Sequence, residues 1–366
     1  MSKITKNERA WVEINLESIK KNYFEIKKFA KKNICAIIKA DAYGHGDFYV
    51  AEALAKIGVK YFGVATVEEA LNLKNLDAKI LILGFTPENK LNLVVKNSFE
   101  QAVYDFSTAE KLNNIAQKFG VKAKIHIKID TGMHRLGFDT SRETVEKIKL
   151  MSGFSNLKIV GIFSHFAQSD IKNDSFTLEQ CKKFKLITNE LNDLNLIKHV
   201  SNSAGIINYQ EFGFDMVRIG LMLYGLLPIK SSKINLTPVL ELKSQLVAIK
   251  DIKAGESVSY NRKFIAQEKT KVGIVSIGYG DGYMRNNSNK AKVIINGNFA
   301  HVVGNICMDY MMINLNNIKA KVGDEIILIG KSGDLSITAD DLAKINNTIS
   351  YEIITSIGKR VPRYYI

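Results

Sequence analysis

Eight short apolar runs, most of them separated by stretches of helical periodicity, constrain this chain more than any other feature. They are 33–39 (NICAIIK), 61–65 (YFGVA), 79–84 (KILILG), 101–105 (QAVYD), 123–130 (AKIHIKID), 157–165 (LKIVGIFSH), 197–201 (IKHVS) and 214–219 (FDMVRI). Amphipathic stretches lie between most of them, at 47–57, 66–75, 108–118, 140–150 and 176–194. Strands alternating with helices predict parallel pairing, and eight of them predict a closed (β/α)8 barrel of TIM type. The rival, an open doubly wound sheet, expects G-x-G-x-x-G after its first strand, and that fingerprint is absent.

The pattern changes after Pro228. Residues 229–238 (IKSSKINLTP) read as a linker, and alternating or β-branched runs follow at 242–250, 271–277, 292–296 and 325–330. One late helix fits 337–345. The expectation is an α/β barrel over 12–230 and a mainly β domain over 236–366, with residues 1–11 packing on the second. At 366 residues the length suits two domains.

The net charge of +14 raises the question of nucleic acid. The lysines argue against it, because they are spread along the chain rather than gathered in an arm. In KKNYFEIKKFAKK they fall opposite the helical stripe of Leu16, Ile19, Tyr23, Ile26 and Phe29, on a solvated face. Anionic small molecules are the milder implication. No run has the length of a membrane span, and MSKITKNERAW lacks an apolar signal core, so the expected location is the cytoplasm. Cys35, Cys181 and Cys307 show no paired spacing and read as reduced thiols. None of the histidines has a metal-ligand spacing, and no metal is expected.

In a barrel of this kind, chemistry gathers where the strands end at their carboxyl side. Those ends carry Lys39, Asp130 with Arg135 beyond it, His165, Ser201 to Ser203, and Arg218 with Gly220. Lysine condenses with aldehydes once desolvation lowers its pKa. A single lysine is more often a solvated surface residue, but AYGHG follows Lys39. Its glycines permit close backbone approach, and Tyr43 can donate to a phosphate oxygen. Arg218 is a permanent donor, so facing a pyridine nitrogen it meets only a lone pair and keeps the ring unprotonated. A plain structural ion pair explains an isolated arginine equally well. His165 is placed to hold Arg218 by a hydrogen bond. Ser203 and Gly220 follow strands seven and eight, where barrel enzymes often bind phosphate.

Together these residues resemble the alanine racemases, of the fold-type-III pyridoxal-phosphate enzymes. The resemblance runs from Trp11 to Arg363 and rests on AIIKADAYGHG, KIDTGMHRLGF, SHFA, SNSAG, VRIGLMLYG, ESVSY, GYGDGYMR, GNICMD and YEIITSIGKRVPR, in that order. It implies pyridoxal 5'-phosphate as cofactor and interconversion of L- and D-alanine, supplying D-alanine for peptidoglycan. It further implies a homodimer with a shared site. Lys39 would carry the cofactor and act as base on one face of the substrate, and Tyr260 of the other subunit would act on the opposite face. Tyr43, Ser203, Gly220 and Tyr351 would bind the phosphate, while Arg218, backed by His165, would face the ring nitrogen. Arg135 would meet the cofactor's phenolic oxygen and the substrate carboxylate, which also meets the Met308 backbone. Tyr279, Arg285 and Asp170 would line the entrance. Two bases on opposite faces invert a carbon without turning the substrate. Tyrosine ordinarily ionises near ~10, so such a role asks for a stabilised phenolate, for which His165 and Arg218 are the candidates. Asn305 stands where the family often has arginine, and Lys128 matches a lysine carbamylated in some members.

The rivals are a racemase of broader scope and a fold-type-III decarboxylase. Tyr351, by crowding the substrate side chain, favours alanine. Cys307 sits in GNICMD, and no decarboxylase-type glycine-rich phosphate loop is present. A one-domain cofactor carrier would have no use for the second domain and Tyr260.

Overall fold

The computed structural model describes residues 8–366. Its first strand, β1 (Ala10–Ile14), lies outside the barrel. The barrel strands are β2 (Asn33–Ile37), β3 (Tyr61–Val64), β4 (Lys79–Ile82), β5 (Glu100–Val103), β6 (Ala123–Lys128), β7 (Leu157–Phe163), β8 (Ile197–His199) and β9 (Met216–Ile219). They pair in parallel in the order β8-β7-β6-β5-β4-β3-β2-β9. The Asp215 N–H donates to the Lys198 carbonyl at 3.0 Å and the Arg218 N–H to the Ser201 carbonyl at 2.9 Å, which brings β9 back to β8 and closes the barrel. β3 and β9 are buried along their whole length, as strands sandwiched between a barrel interior and a helical layer should be.

The outer helices start where the sequence supplies caps. Thr66 and Glu69 form a capping box, and Asp105, Ser141 and Asp174 each accept an N–H from the first turn. This unit comprises residues 18–42 and 47–238.

Among the described residues, the β-rich unit takes 239–366, 43–46 and 8–17. Its strands are β10 (Leu240–Ile252), β11 (Ser257–Val258), β12 (Phe264–Ile265), β13 (Thr270–Val275), β14 (Lys292–Ile295), β15 (Asn298–His301), β16 (Met311–Asn314), β17 (Glu325–Ser332), β18 (Leu335–Ile337) and β19 (Arg363–Tyr365). The main sheet runs β15-β14-β17-β10-β1-β19, with β13 and β16 continuing from β10 and β18 from β17. Period-two burial along the first half of β10 (Leu240, Leu242, Ser244, Leu246 inward) gives this sheet its core.

One boundary differs from the sequence reading. Val12 to Ile14, assigned to the barrel, pair with Leu242 to Leu240 and with Arg363 to Tyr365. An apolar strand preceding the first helix finds its ladder partners in the β sheet. Residues 8–11 lie with it, and residues 1–7 fall outside those described.

The segment 229–238 has no regular structure and folds back on Gly225, whose φ is +78°. A Cβ there would sit 2.0 Å from the Thr237 carbonyl oxygen. Gly225→Ala therefore combines a left-handed backbone with a rigid clash. It should lower unfolding free energy by at least about 2 kcal/mol in denaturant titration, well beyond a surface glycine substitution.

Candidate functional site

Lys39 follows β2, and the backbone beyond it is unusual. Ala40, Asp41, Ala42 and Tyr43 all have φ between +52° and +54°. Four successive L-residues thus form one left-handed turn, closed by the Ala42 N–H donating to the Ile38 carbonyl at 2.8 Å. Such backbone costs about 1–2 kcal/mol per residue and persists only where neighbours hold it. Glu69 is one holder: its carboxylate accepts the Ala40 N–H at 2.7 Å and the Ala65 N–H at 2.7 Å. Asp41 accepts the Asp47 N–H at 2.9 Å. The glycines of AYGHG serve packing within the protein. A Cβ on Gly44 would lie 2.4 Å from the Ile354 carbonyl oxygen, and one on Gly46 would strike the Tyr365 hydroxyl.

The Lys39 amine is held below the ordinary lysine range by burial, then by Arg135, with Arg218 adding to the effect against Glu69. The turn thus presents a partly desolvated amine at the barrel rim, shifted toward the neutral form a nucleophile needs. Lys128 lies inside the barrel, and burial with the charges of Arg218 and Arg135 brings it to about 7. A sizeable share of it is a neutral amine at neutral pH, the form that takes up carbon dioxide.

Arg218, on β9, is buried and organises the interior. Its Nη1 donates to His199 Nδ1 at 2.8 Å and to the His199 carbonyl at 3.0 Å. Its Nη2 donates to the Ser164 carbonyl (2.7 Å), His165 Nδ1 (2.9 Å) and the Val200 carbonyl (3.0 Å). This leaves Nε–H as the donor with no protein acceptor among the described residues. Burial pulls Arg218 down to about 10, so it remains charged at neutral pH.

Because arginine only donates, His199 Nδ1 accepts, and the His199 proton sits on Nε2. That nitrogen faces His126 Nδ1 at 2.9 Å. The His126 proton is then on Nε2, 2.9 Å from the Glu100 carboxylate, which Tyr61 also donates to. A directed chain therefore runs from Arg218 through two imidazoles to a buried carboxylate. Burial pushes the Glu100 carboxyl up, but the bonds from His126 and Tyr61 outweigh it and leave it below its usual range. Glu100, His126, His199 and Glu69 were given no role by the sequence reading. For His126 a signal was present: His126 and Lys128 are two residues apart, which puts two polar groups on one face of β6, with Asp130 continuing the spacing beyond its end.

The other expected residues of the barrel unit lie in the loops after its strands. Arg135 is exposed, in a loop that Asp130 ties down by accepting the Gly132 and His134 N–H groups at 2.9 and 3.1 Å. Ser203 is buried and accepts the Gly220 N–H at 3.3 Å, which turns its own hydroxyl hydrogen elsewhere. Asn202 fixes that loop by accepting from Ser169 and from the Gly205 N–H, both at 2.9 Å. Asp170 is exposed.

In the β-rich unit, the buried Tyr43 ring lies 5.8 Å from that of Tyr351. Tyr279 and Arg285 line an open cleft of about 520 Å³ with Met284, Glu352 and Ser356. The Met308 carbonyl accepts the Gly280 N–H at 2.9 Å, while its own N–H makes no backbone bond among the described residues. Tyr260 sits between β11 and β12 with its side chain 70% exposed.

Burial pushes the Cys35 and Cys181 thiols up to about 12, which suppresses thiolate chemistry there. Among the described residues no group of three His, Cys, Asp or Glu converges to hold a metal, and no helix is long and apolar enough to cross a membrane.

Comparison with known proteins gives a consistent result. The alanine racemase N-terminal domain profile matches residues 14–228 and the alanine racemase C-terminal domain profile matches 239–365. Alanine racemase 1 of Clostridium acetobutylicum is 43% identical, over 97% of this chain and 95% of that one. The structure of alanine racemase from Clostridium difficile 630 superposes with a TM-score of 0.93 at 39% identity, covering 100% of this chain and 97% of the other. A Bartonella henselae alanine racemase with covalently bound pyridoxal phosphate gives 0.89 at 32% identity, covering 98% and 100%.

His165 and His199 are both held well below the ordinary histidine range, by burial first and by Arg218 second. Each binds its proton more weakly folded than unfolded, so the unfolded chain takes up protons as pH falls below about 6.5. The contribution of each histidine should be constant above that pH and then drop by about 1.4 kcal/mol per unit, while Lys128, brought to about 7, adds a rise in stability only as pH climbs through and above about 7. Urea midpoints of the cofactor-free chain between about pH 7 and pH 5 check this, and a flat profile would contradict the burial of neutral imidazoles.

Proposed function

The chain belongs to the alanine racemase family, and from that premise we propose that it interconverts L-alanine and D-alanine with pyridoxal phosphate as cofactor. The observation that carries the reading is the pair formed by Lys39 and Arg218. One is an amine depressed by burial at the barrel rim, and the other is a donor-only guanidinium with Nε–H left over. These groups suit an aldehyde cofactor with a pyridine nitrogen, and the unengaged hydroxyl hydrogen of Ser203 suits its phosphate.

Pyridoxal phosphate, when bound, supplies an electron sink for the pair left on Cα as the α-proton departs. The chain's residues do the rest. Lys39 would hold the cofactor through its aldehyde carbon and, once the substrate amine has taken that place, would be the free amine that moves a proton on one face of the substrate. Tyr260 of the partner subunit moves it on the other face, in a homodimer whose sites are shared. Arg218, pinned by five acceptors, would face the ring nitrogen as a donor and so favour its unprotonated form, which would weaken the sink and disfavour side reactions such as transamination. Ser203, Gly220, Tyr43 and Tyr351 would hold the phosphate. Arg135 and the Met308 N–H hold the substrate carboxylate, and Tyr279, Arg285 and Asp170 lie along the way in. Tyr351 limits the side chain to about the size of a methyl group. The product serves peptidoglycan synthesis, in the cytoplasm.

Purified protein with pyridoxal phosphate should abolish the optical rotation of L-alanine, with L-serine and L-lysine lost more slowly, and Lys39→Ala should be inactive. Persistent activity in Lys39→Ala would refute the assignment. Mixing inactive Lys39→Ala and Tyr260→Phe protomers tests the shared site. Random re-pairing leaves about a quarter of all sites with both groups intact, so about a quarter of wild-type activity should return. No recovery, with mixed dimers shown to form, would place both bases on one chain.

A further inference from the structure

The loop that presents Tyr260 is strained, and its anchor is identifiable. Ser259, Asn261 and Arg262 have φ of 67°, 59° and 51°. Three left-handed non-glycine residues within four positions cost about 1–3 kcal/mol each and persist only when the surroundings over-determine them. The hairpin of β11 and β12 sets the two ends. Between the ends, the loop is clamped to the segment 304–307. The Ser259 hydroxyl donates to the Asn305 carbonyl at 2.6 Å, and the Asn305 amide Nδ2 donates to the Tyr260 carbonyl at 2.8 Å.

The clamp is itself held. Gly304, φ +76°, lets the two segments touch, since a Cβ there would lie 2.7 Å from the Val258 carbonyl oxygen. Its N–H donates to Asn289 Oδ1 at 2.6 Å, and the Ile306 N–H donates to the Ser288 hydroxyl at 2.9 Å. Beneath lie Val258, Val272, Val303 and Met312. Asn305 is buried. The Tyr260 hydroxyl makes no hydrogen bond among the described residues, so within the chain the direction of this side chain is set through its backbone.

We propose that Asn305 is a positioning residue for Tyr260, its amide fixing the peptide from which the phenol projects. The inference rests on Tyr260 being one of the two bases. A misplacement on the order of 1 Å at a reacting group costs up to about a hundredfold in rate. Removing the amide donor should therefore impair the proton transfers of Tyr260 and leave those of Lys39 intact.

The test uses the holoenzyme with pyridoxal phosphate in deuterated water. Exchange of the α-proton is followed by NMR for L-alanine and D-alanine separately, beside racemisation kcat and KM. Asn305→Asp keeps the length and replaces the donor by an oxygen facing a carbonyl, and Asn305→Ala removes the group. Both should lower kcat about tenfold with KM changed less than about twofold. Exchange without inversion should persist in the enantiomer whose proton Lys39 takes and fall about tenfold in the other. A role in folding alone would lower the thermal midpoint and slow both enantiomers alike, and that result would overturn the proposal, as would unchanged exchange in both. Tyr260→Phe run in parallel separates the two claims. If it is one-sided while the Asn305 variants are not, Asn305 is not the anchor; if it is symmetric, the assignment of Tyr260 and this inference fall together. Should both Asn305 variants fail to fold, Ser259→Ala opens the other half of the clamp, and the same one-sided loss is expected.

Discussion

Arg218 is a buried cation with no carboxylate against it among the described residues, and most of the site's electrostatics follow from that. Its charge is met by three carbonyl oxygens and two imidazole nitrogens. Burying an ion costs several kcal/mol unless its donors are satisfied, and here the two Nη nitrogens are fully engaged. The compensating negative charge, Glu100, stands two imidazoles away. The barrel makes this possible, because parallel strands in fixed register bring Glu100, His126, His199 and Arg218 from β5, β6, β8 and β9 into one line. Gly161 on β7 makes room: a Cβ there would come within 2.4 Å of His126 Nδ1. Burial first, with this positive centre and Arg135 adding to it, then depresses Lys39, Lys128 and His165. Two amines and an imidazole are thereby held closer to their neutral forms than water would hold them.

Backbone strain is the second currency of the fold. It is concentrated directly after Lys39 and around Tyr260, the two groups assigned to proton transfer. In each place the strain is fixed by short polar anchors rather than by apolar packing alone: the Glu69 carboxylate on the Ala40 N–H, the Asn305 amide on the Tyr260 carbonyl. Polar anchors have direction, and direction is what a left-handed residue lacks the intrinsic preference to supply.

What could be read in the sequence, and what could not, divides along the range of the interactions. The eight strands were legible because burial on both faces leaves continuous apolar runs, and the helices because they carry caps and period. Strand β1 was not, since its partners lie more than two hundred residues away and nothing local distinguishes it from a barrel strand. Lys39, Arg218 and Ser203 were visible as polar residues ending apolar runs. Glu100 and His199 were not, because each is one polar residue within or beside a strand. The chain that joins them exists only once the register between strands is set. The left-handed turn was equally hidden. Ala40 and Ala42 carry no local signal for positive φ, and the residues that impose it come from other segments.

These two regions put the two groups proposed for proton transfer under different physical control. Lys39 is tuned by its electrostatic surroundings: burial, Arg135 and Arg218 act on its pKa, and a change in any of those charges alters how readily it gives up a proton. Tyr260 has its side chain largely exposed in the single chain and is governed by geometry, through a clamp of two reciprocal hydrogen bonds that sets where its peptide sits. Between enantiomers the equilibrium constant is one by symmetry, so kcat/KM is equal in the two directions whichever proton transfer is the slower. Separate control allows one to be adjusted without detuning the other. Charge substitutions in the barrel interior therefore act first on the lysine face of the reaction, and substitutions along 304–307 act first on the tyrosine face.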